Sequence, residues 1–181
     1  APSDWWARSY DEIMFFERQL TAEECPASGG LWCGVHALNN ILGEHKFSGE
    51  AMAQVPDPYG GTKPYDFSRG ILQEAILRTP RLSSFSPGWT PKLETGAHIP
   101  EDMQLALEYY EKVFEAAHKL SSFLGVCLWT PAGGGHWVGF QWVKKPEPGS
   151  GVYIKKDSLR DRGPHPFVTP EQMLVACKNC V

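Results

Sequence analysis

The hydrophobic period of this chain changes once, just after Leu120. Before that point apolar residues recur at helical spacing. Val35, Leu38 and Leu42 form one stripe, and Met103, Ala106, Leu107, Tyr110, Val113, Phe114, Ala117 and Leu120 form a longer one. Ser68 is placed to cap a further helix with Ile71, Leu72, Ala75 and Ile76 on its apolar face. Residues 9–19 read as a short amphipathic helix carrying Ile13 and Phe16 on one face. After Leu120 the pattern becomes strand-like. FLGVCLW (123–129) is a continuous apolar run, HWVGFQWV (136–143) alternates Val138, Phe140 and Trp142, and GVYIKK (151–156) returns after the KKPEPGSG hairpin loop. PAGGG (131–135) is the intervening turn. Thr169, Pro170 and Gln172 then open a last helix with a cap, a proline in the first position and a capping-box partner. Helices first and an antiparallel sheet later is the α+β pattern. The chain of 181 residues is expected to form a single domain. Its loops fall at 20–32, in the turn-rich stretch 43–66, and at 83–100, where a loop of that length points to function or mobility.

Charge and cysteine usage narrow the function classes. Seventeen basic residues stand against 21 acidic ones, for a net charge of −4, with no basic tract. Nucleic acid and anionic membrane are therefore poor partner choices. No apolar run approaches a bilayer span, and no signal peptide is read. The five cysteines are odd in number and irregular in spacing, which favours a reducing compartment over a disulfide framework. Cys127 lies in an apolar run and reads as core. Cys177 and Cys180 make one C-x-x-C without a matching second pair, so no metal or other cofactor is expected.

Cys33 sits where the Gly-rich loop meets the first helical stripe. The start of a helix favours negative charge, and a neighbouring imidazolium favours it further, so a cysteine there is poised as a nucleophile if a histidine joins it. The alternative is a buried structural cysteine. His136 begins the aromatic strand after Gly133, Gly134 and Gly135 and is the natural base; its alternative is a polar residue at a strand edge. A third group must orient the imidazole. Asp157 ends the strand that returns beside His136, although an Asp-Ser pair also serves as an ordinary strand-ending turn. Asp161 and Glu147 are weaker choices in polar loops. His36 is one turn from Cys33 and is read as a packing or local capping residue, and His118 sits late in a helix, where a cation is favoured.

The runs Phe16-Glu17-Arg18-Gln19, Cys33-Gly34-Val35-His36-Ala37-Leu38-Asn39-Asn40, His136-Trp137-Val138, and Val152-Tyr153 with Asp157-Ser158-Leu159 resemble the Josephin domain. So does Tyr65-Asp66-Phe67-Ser68. This family comprises papain-fold cysteine proteases that cleave ubiquitin conjugates. The resemblance implies Cys33 as nucleophile, His136 as general base, Asp157 as the third residue and Gln19 as the oxyanion donor. It implies ubiquitin or its conjugates as partner. A monomer is expected, and with no targeting signal read the default setting is cytoplasmic or nuclear, or a host cytosol for a secreted effector. The chain departs from the pattern in three places. Gln19 and Cys33 are 14 residues apart, with TAEECPASGG between them where the family has only a few residues. Residues 83–100 have no family equivalent, so insertions are expected at 20–30 and 83–100. The chain also stops at Val181, where relatives continue into a further strand. Two other functions share these motifs: a papain-like protease or acyltransferase for another ubiquitin-like modifier, and an inactive ubiquitin-binding module.

Overall fold

The β-branched and aromatic residues after position 123 pair into one antiparallel sheet. Strands β1 (Gly125–Thr130), β2 (His136–Lys144), β3 (Gly151–Lys156) and β4 (Phe167–Val168) lie in the order β1-β2-β3-β4. The structure, a computed structural model, describes residues 9–26, 32–54, 72, 111–112, 114–119, 123–130, 136–159 and 167–173. Val126 pairs with Phe140, and Phe140 with Lys155, so the register runs unbroken across the first three strands. The β2–β3 hairpin closes through Lys145 N–H to the Ser150 carbonyl at 2.9 Å, and Gly149 takes the left-handed conformation there, at φ 76°. Strand β4 was not expected from the sequence; its two residues pair with Tyr153 and Ile154.

Alternation along β2 gives the sheet two different faces. Gly139 and Gln141 meet helix α2 (Cys33–Leu42), whose Ala37 carbonyl would lie 2.7 Å from a Cβ at position 139. Phe140 and Trp142 face the other way. There Trp142 stacks on His118, from helical residues 114–118, with ring centroids 4.0 Å apart, and Tyr153 packs beside them. The sheet is thus covered on both faces by helix, an α+β arrangement with its core at Leu38, Phe123, Val126, Trp142 and Tyr153.

The first residues are drawn onto this frame. Helix α1 (Tyr10–Met14) is capped by Ser9, whose hydroxyl accepts from Glu12 N–H at 3.2 Å. The helix expected over 9–19 ends at Met14, and Phe16 does not share a helical face with Ile13. Beyond Met14 the backbone donors find better partners outside a helix: Glu17 N–H bonds Asn40 Oδ1 at 2.7 Å, and Gln19 N–H bonds the Ser158 carbonyl at 2.8 Å. The Glu12 carbonyl accepts from both Gln141 Nε2 at 3.1 Å and the buried Lys156 Nζ at 3.0 Å. Within the turn-rich stretch a short helix α3 (Gly49–Met52) forms behind a Ser48 cap, with Gly49 pressed against the Trp32 ring.

Thr169 and Gln172 make the reciprocal capping bonds, at 2.9 and 3.2 Å. Leu72 is helical and buried. The remainder of the Ser68 helix, most of the long stripe from Met103, the loop 83–100, the glycines 133–135, Asp161, Cys177 and Cys180 lie outside the described residues. Among the described residues no helix is long and apolar enough to cross a membrane.

Candidate active site

Helix α2 begins at Cys33 because Trp32 leaves helical geometry just before it. Trp32 makes no side-chain cap, and the first turn holds no acidic residue. Neither Trp32 nor the first turn thus supplies an anion to the N–H groups at that end, and Cys33 stands at the end that favours one. Cys33 is buried, with 6% of its surface exposed. Its side chain is a hydrogen-bond partner of the His136 imidazole, at the start of strand β2.

His136 Nε2 bonds Asp157 Oδ1 at 2.7 Å. The sheet explains this contact. Gly139 pairs with Lys156, and one further step of that register sets Asp157 opposite Val138, on the same face as His136 and diagonal to it. Asp157 Oδ1 also accepts from Leu159 N–H at 3.1 Å, which fixes the carboxylate in a local turn. The strand-ending turn and the histidine-orienting contact are thus made by the same oxygen. With Nε2 engaged by Asp157, Nδ1 is the ring nitrogen left for the thiol.

Burial works against a charged His136 ring, but hydrogen bonds to Asp157 and Cys33 outweigh it, aided by the charges of both partners. Its pKa is held up at about 9. Burial likewise works to raise the Asp157 pKa, but the hydrogen bonds from His136 and from Leu159 N–H, with the charges of His136 and Lys155, hold it below the usual carboxylate value. Near neutral pH the site contains an imidazolium between the Asp157 carboxylate and the Cys33 sulfur, the residue types of a nucleophile, a base and an orienting acid. Cys127 is a core residue close enough to feel the charge of Cys33. Its thiol is fully buried, and desolvation pushes its pKa well above the ordinary value, as a core cysteine requires.

Gln19 reaches the same region despite the intervening segment. Besides its backbone bond to Ser158, its side-chain Oε1 accepts from the Ser158 hydroxyl at 3.3 Å. Residues 21–25 form a capped turn in which Thr21 and Glu24 exchange side-chain and backbone bonds, and Cys25 N–H bonds the Thr21 carbonyl. The Arg18 guanidinium grips both Glu24 carboxylate oxygens and the Gln19 carbonyl. The described part of this segment thus folds on itself beside Arg18, and Gln19 keeps its bonds to Ser158.

The other motif residues hold this assembly in place. His36 does not cap its own helix. Its Nδ1 pairs with Glu17 Oε1, while His45 Nδ1 takes Oε2 at 2.6 Å and Asn39 Nδ2 donates to both oxygens. Asn39 Oδ1 accepts from Lys46 and Phe47 N–H, and Asn40 exchanges bonds with the Glu17 backbone. Glu17, Asn39, Asn40 and Ser158 stand in the motifs quoted above, but none of them is expected from sequence to hold the site together. An acid followed two dozen residues later by two asparagines carries no local signal, because the contacts span 22 and 23 positions. A cavity of about 370 Å³ lies between these segments, lined by Phe16, Glu17, Leu20, Trp32, His36 and Phe47 among others.

His118 corrects another expectation. It is not a helix-end cation: burial lowers its pKa to about 4 against a weak opposing pull from Glu171, and its Nε2 shares a 2.6 Å hydrogen bond with Tyr153 Oη. Glu147 is exposed in the β2–β3 hairpin, apart from His136. Among the described residues no group of histidine, cysteine or acidic side chains could hold a metal ion. No protein-family model, no curated protein and no solved structure matches this chain.

Proposed function

We propose that this chain is a papain-like cysteine protease that hydrolyses the bond after the C-terminal glycine of ubiquitin. The observation that carries the chemistry is the bonding of His136: Asp157 on Nε2 at 2.7 Å, and the Cys33 side chain as its other hydrogen-bond partner. The motif resemblance to Josephin domains supplies the substrate. With the proton already on His136, the Cys33 sulfur attacks the carbonyl carbon as the thiolate. The tetrahedral oxyanion is met by Gln19. Collapse breaks the C–N bond, His136 protonates the leaving amine, and a thioester to Cys33 remains. His136 then deprotonates water, which attacks the thioester and releases the carboxylate. Asp157 holds the ring in one tautomer throughout and exchanges no proton with substrate.

Ubiquitin carrying a C-terminal electrophile tests this reading. A covalent adduct on Cys33, lost in Cys33→Ala, is the expected result. Tight binding without an adduct would identify an inactive ubiquitin-binding module. An adduct only with another ubiquitin-like modifier would keep the chemistry, as protease or acyltransferase, and replace the substrate.

A further inference from the structure

Asp157 and Ser158 are neighbours, and each holds a different part of the site. Asp157 holds His136. Ser158 holds Gln19 twice: its carbonyl accepts from Gln19 N–H at 2.8 Å, and its hydroxyl donates to Gln19 Oε1 at 3.3 Å. Ser158 is 1% exposed, so water does not compete for that hydroxyl.

A carboxamide has an accepting end and a donating end of nearly the same shape, and rotation by half a turn exchanges them. For an oxyanion the two orientations have opposite effects. Nε2 stabilises the negative charge, whereas Oε1 repels it. A serine hydroxyl can accept as well as donate. Ser158, however, is buried, and among the described residues its proton is bonded to Gln19 Oε1. Turning the amide round would strip that proton of its acceptor, away from water. We propose that Ser158 is a positioning residue that sets the polarity of the Gln19 carboxamide, so that Nε2 is the end offered to the developing oxyanion; this rests on the protease reading above. Ser158 does for the amide what Asp157 does for the imidazole: it selects one of two chemically distinct presentations of the same side chain. The Asp-Ser turn thereby couples base and oxyanion donor through adjacent residues.

The test has two arms. In the first, side-chain ¹⁵N relaxation of the Gln19 amide is compared in wild type, Ser158→Thr and Ser158→Ala. The amide is expected to be ordered in the first two and averaged in the third. Equal order in Ser158→Ala overturns the proposal, whatever the activity. In the second, hydrolysis of ubiquitin bearing a C-terminal aminocoumarin is measured. Ser158→Ala should lower kcat about fivefold to tenfold with KM unchanged, less than the roughly hundredfold loss from deleting an oxyanion donor. Ser158→Thr should recover most of it. In a Gln19→Ala background the Ser158→Ala effect should vanish; an equal loss in both backgrounds overturns the proposal. If Ser158→Ala does not fold, Ser158→Cys, with its weak S–H donor, takes its place in both arms under the same criteria. A wild-type protein that hydrolyses no such substrate counts against the protease reading, and the relaxation arm then decides the positioning of Gln19.

Discussion

Two opposed influences act on the His136 ring, and their balance makes a prediction in each direction of pH. Its pKa of about 9 stands above the ordinary 6.5 because Asp157 and Cys33 outweigh burial. If His136 protonates the leaving amine, kcat/KM should fall as pH rises through about 9. In His136→Ala the pH profile of Cys33 alkylation by iodoacetamide should differ from wild type; superimposable profiles would remove His136 from the reaction. The same group acts on stability. A folded pKa above the unfolded one contributes stability that is fully present below 6.5 and lost as pH rises through about 9. Denaturant midpoints should therefore decline across that window in wild type and decline less in His136→Ala. Asp157→Asn keeps an oxygen for the Nε2 proton and should be mild, whereas Asp157→Ala should cut kcat severely; similar losses in the two would show that charge, not orientation, is what Asp157 supplies. That Cys33, His136 and Asp157 come together was legible in the sequence, because they stand at a helix start, a strand start and the end of the strand that returns beside it. Ser158 and Glu17 were not, since their work is done by bonds to distant segments.

At the scale of elements, the distance between α2 and β2 decides whether Cys33 and His136 meet. Gly139 permits that distance: a Cβ there would lie 2.7 Å from the Ala37 carbonyl and 3.3 Å from Ile41 Cγ1. The carbonyl belongs to helix backbone and cannot step aside. Gly139→Ala should cost about 1–3 kcal/mol, the range for overpacking a core, and should lower kcat as well by lifting α2 from β2. Gly34→Ala makes a useful contrast. Its Cβ would meet the tips of the Leu72 side chain, at 2.9 and 3.3 Å, and those can rotate. Chemical denaturation of the two variants checks the order; a Gly34→Ala protein less stable than Gly139→Ala would contradict it. The strands and α2 were legible because period and length agree with burial. The end of α1 was not: Phe15–Gln19 continues a helical pattern, and only the distant partners of Glu17 and Gln19 turn it into extended chain. Strand β4 escaped notice because two residues make no period.

For the whole molecule, the face of the sheet opposite α2 carries an acid sensitivity remote from the candidate site. His118 is stacked on Trp142, bonded to Tyr153, and holds a pKa of about 4 against an ordinary 6.5. Below 6.5 the unfolded chain takes up a proton that the folded one refuses until about 4, so stability should drop as pH falls through that interval. His118→Gln removes the titration, and its stability should change less than wild type between those limits in thermal melts; parallel curves would show that His118 is not the group responsible. The N-terminal segment has a consequence of another kind. Its ties to the sheet run from Gln141 and Lys156 to the Glu12 carbonyl and from Ser158 to Gln19, spanning 129, 144 and 139 positions. Such long loops close late, and chains dominated by them fold slowly. During synthesis Cys33 leaves the ribosome long before His136, Asp157 and Ser158 exist to meet it. A nascent chain stalled before Lys156 should leave Cys33 unlabelled by the ubiquitin electrophile, and labelling should begin only once the last tie to residues 12–19 has emerged. On this reading the order of translation keeps the thiol dormant until the strand that completes its surroundings has emerged.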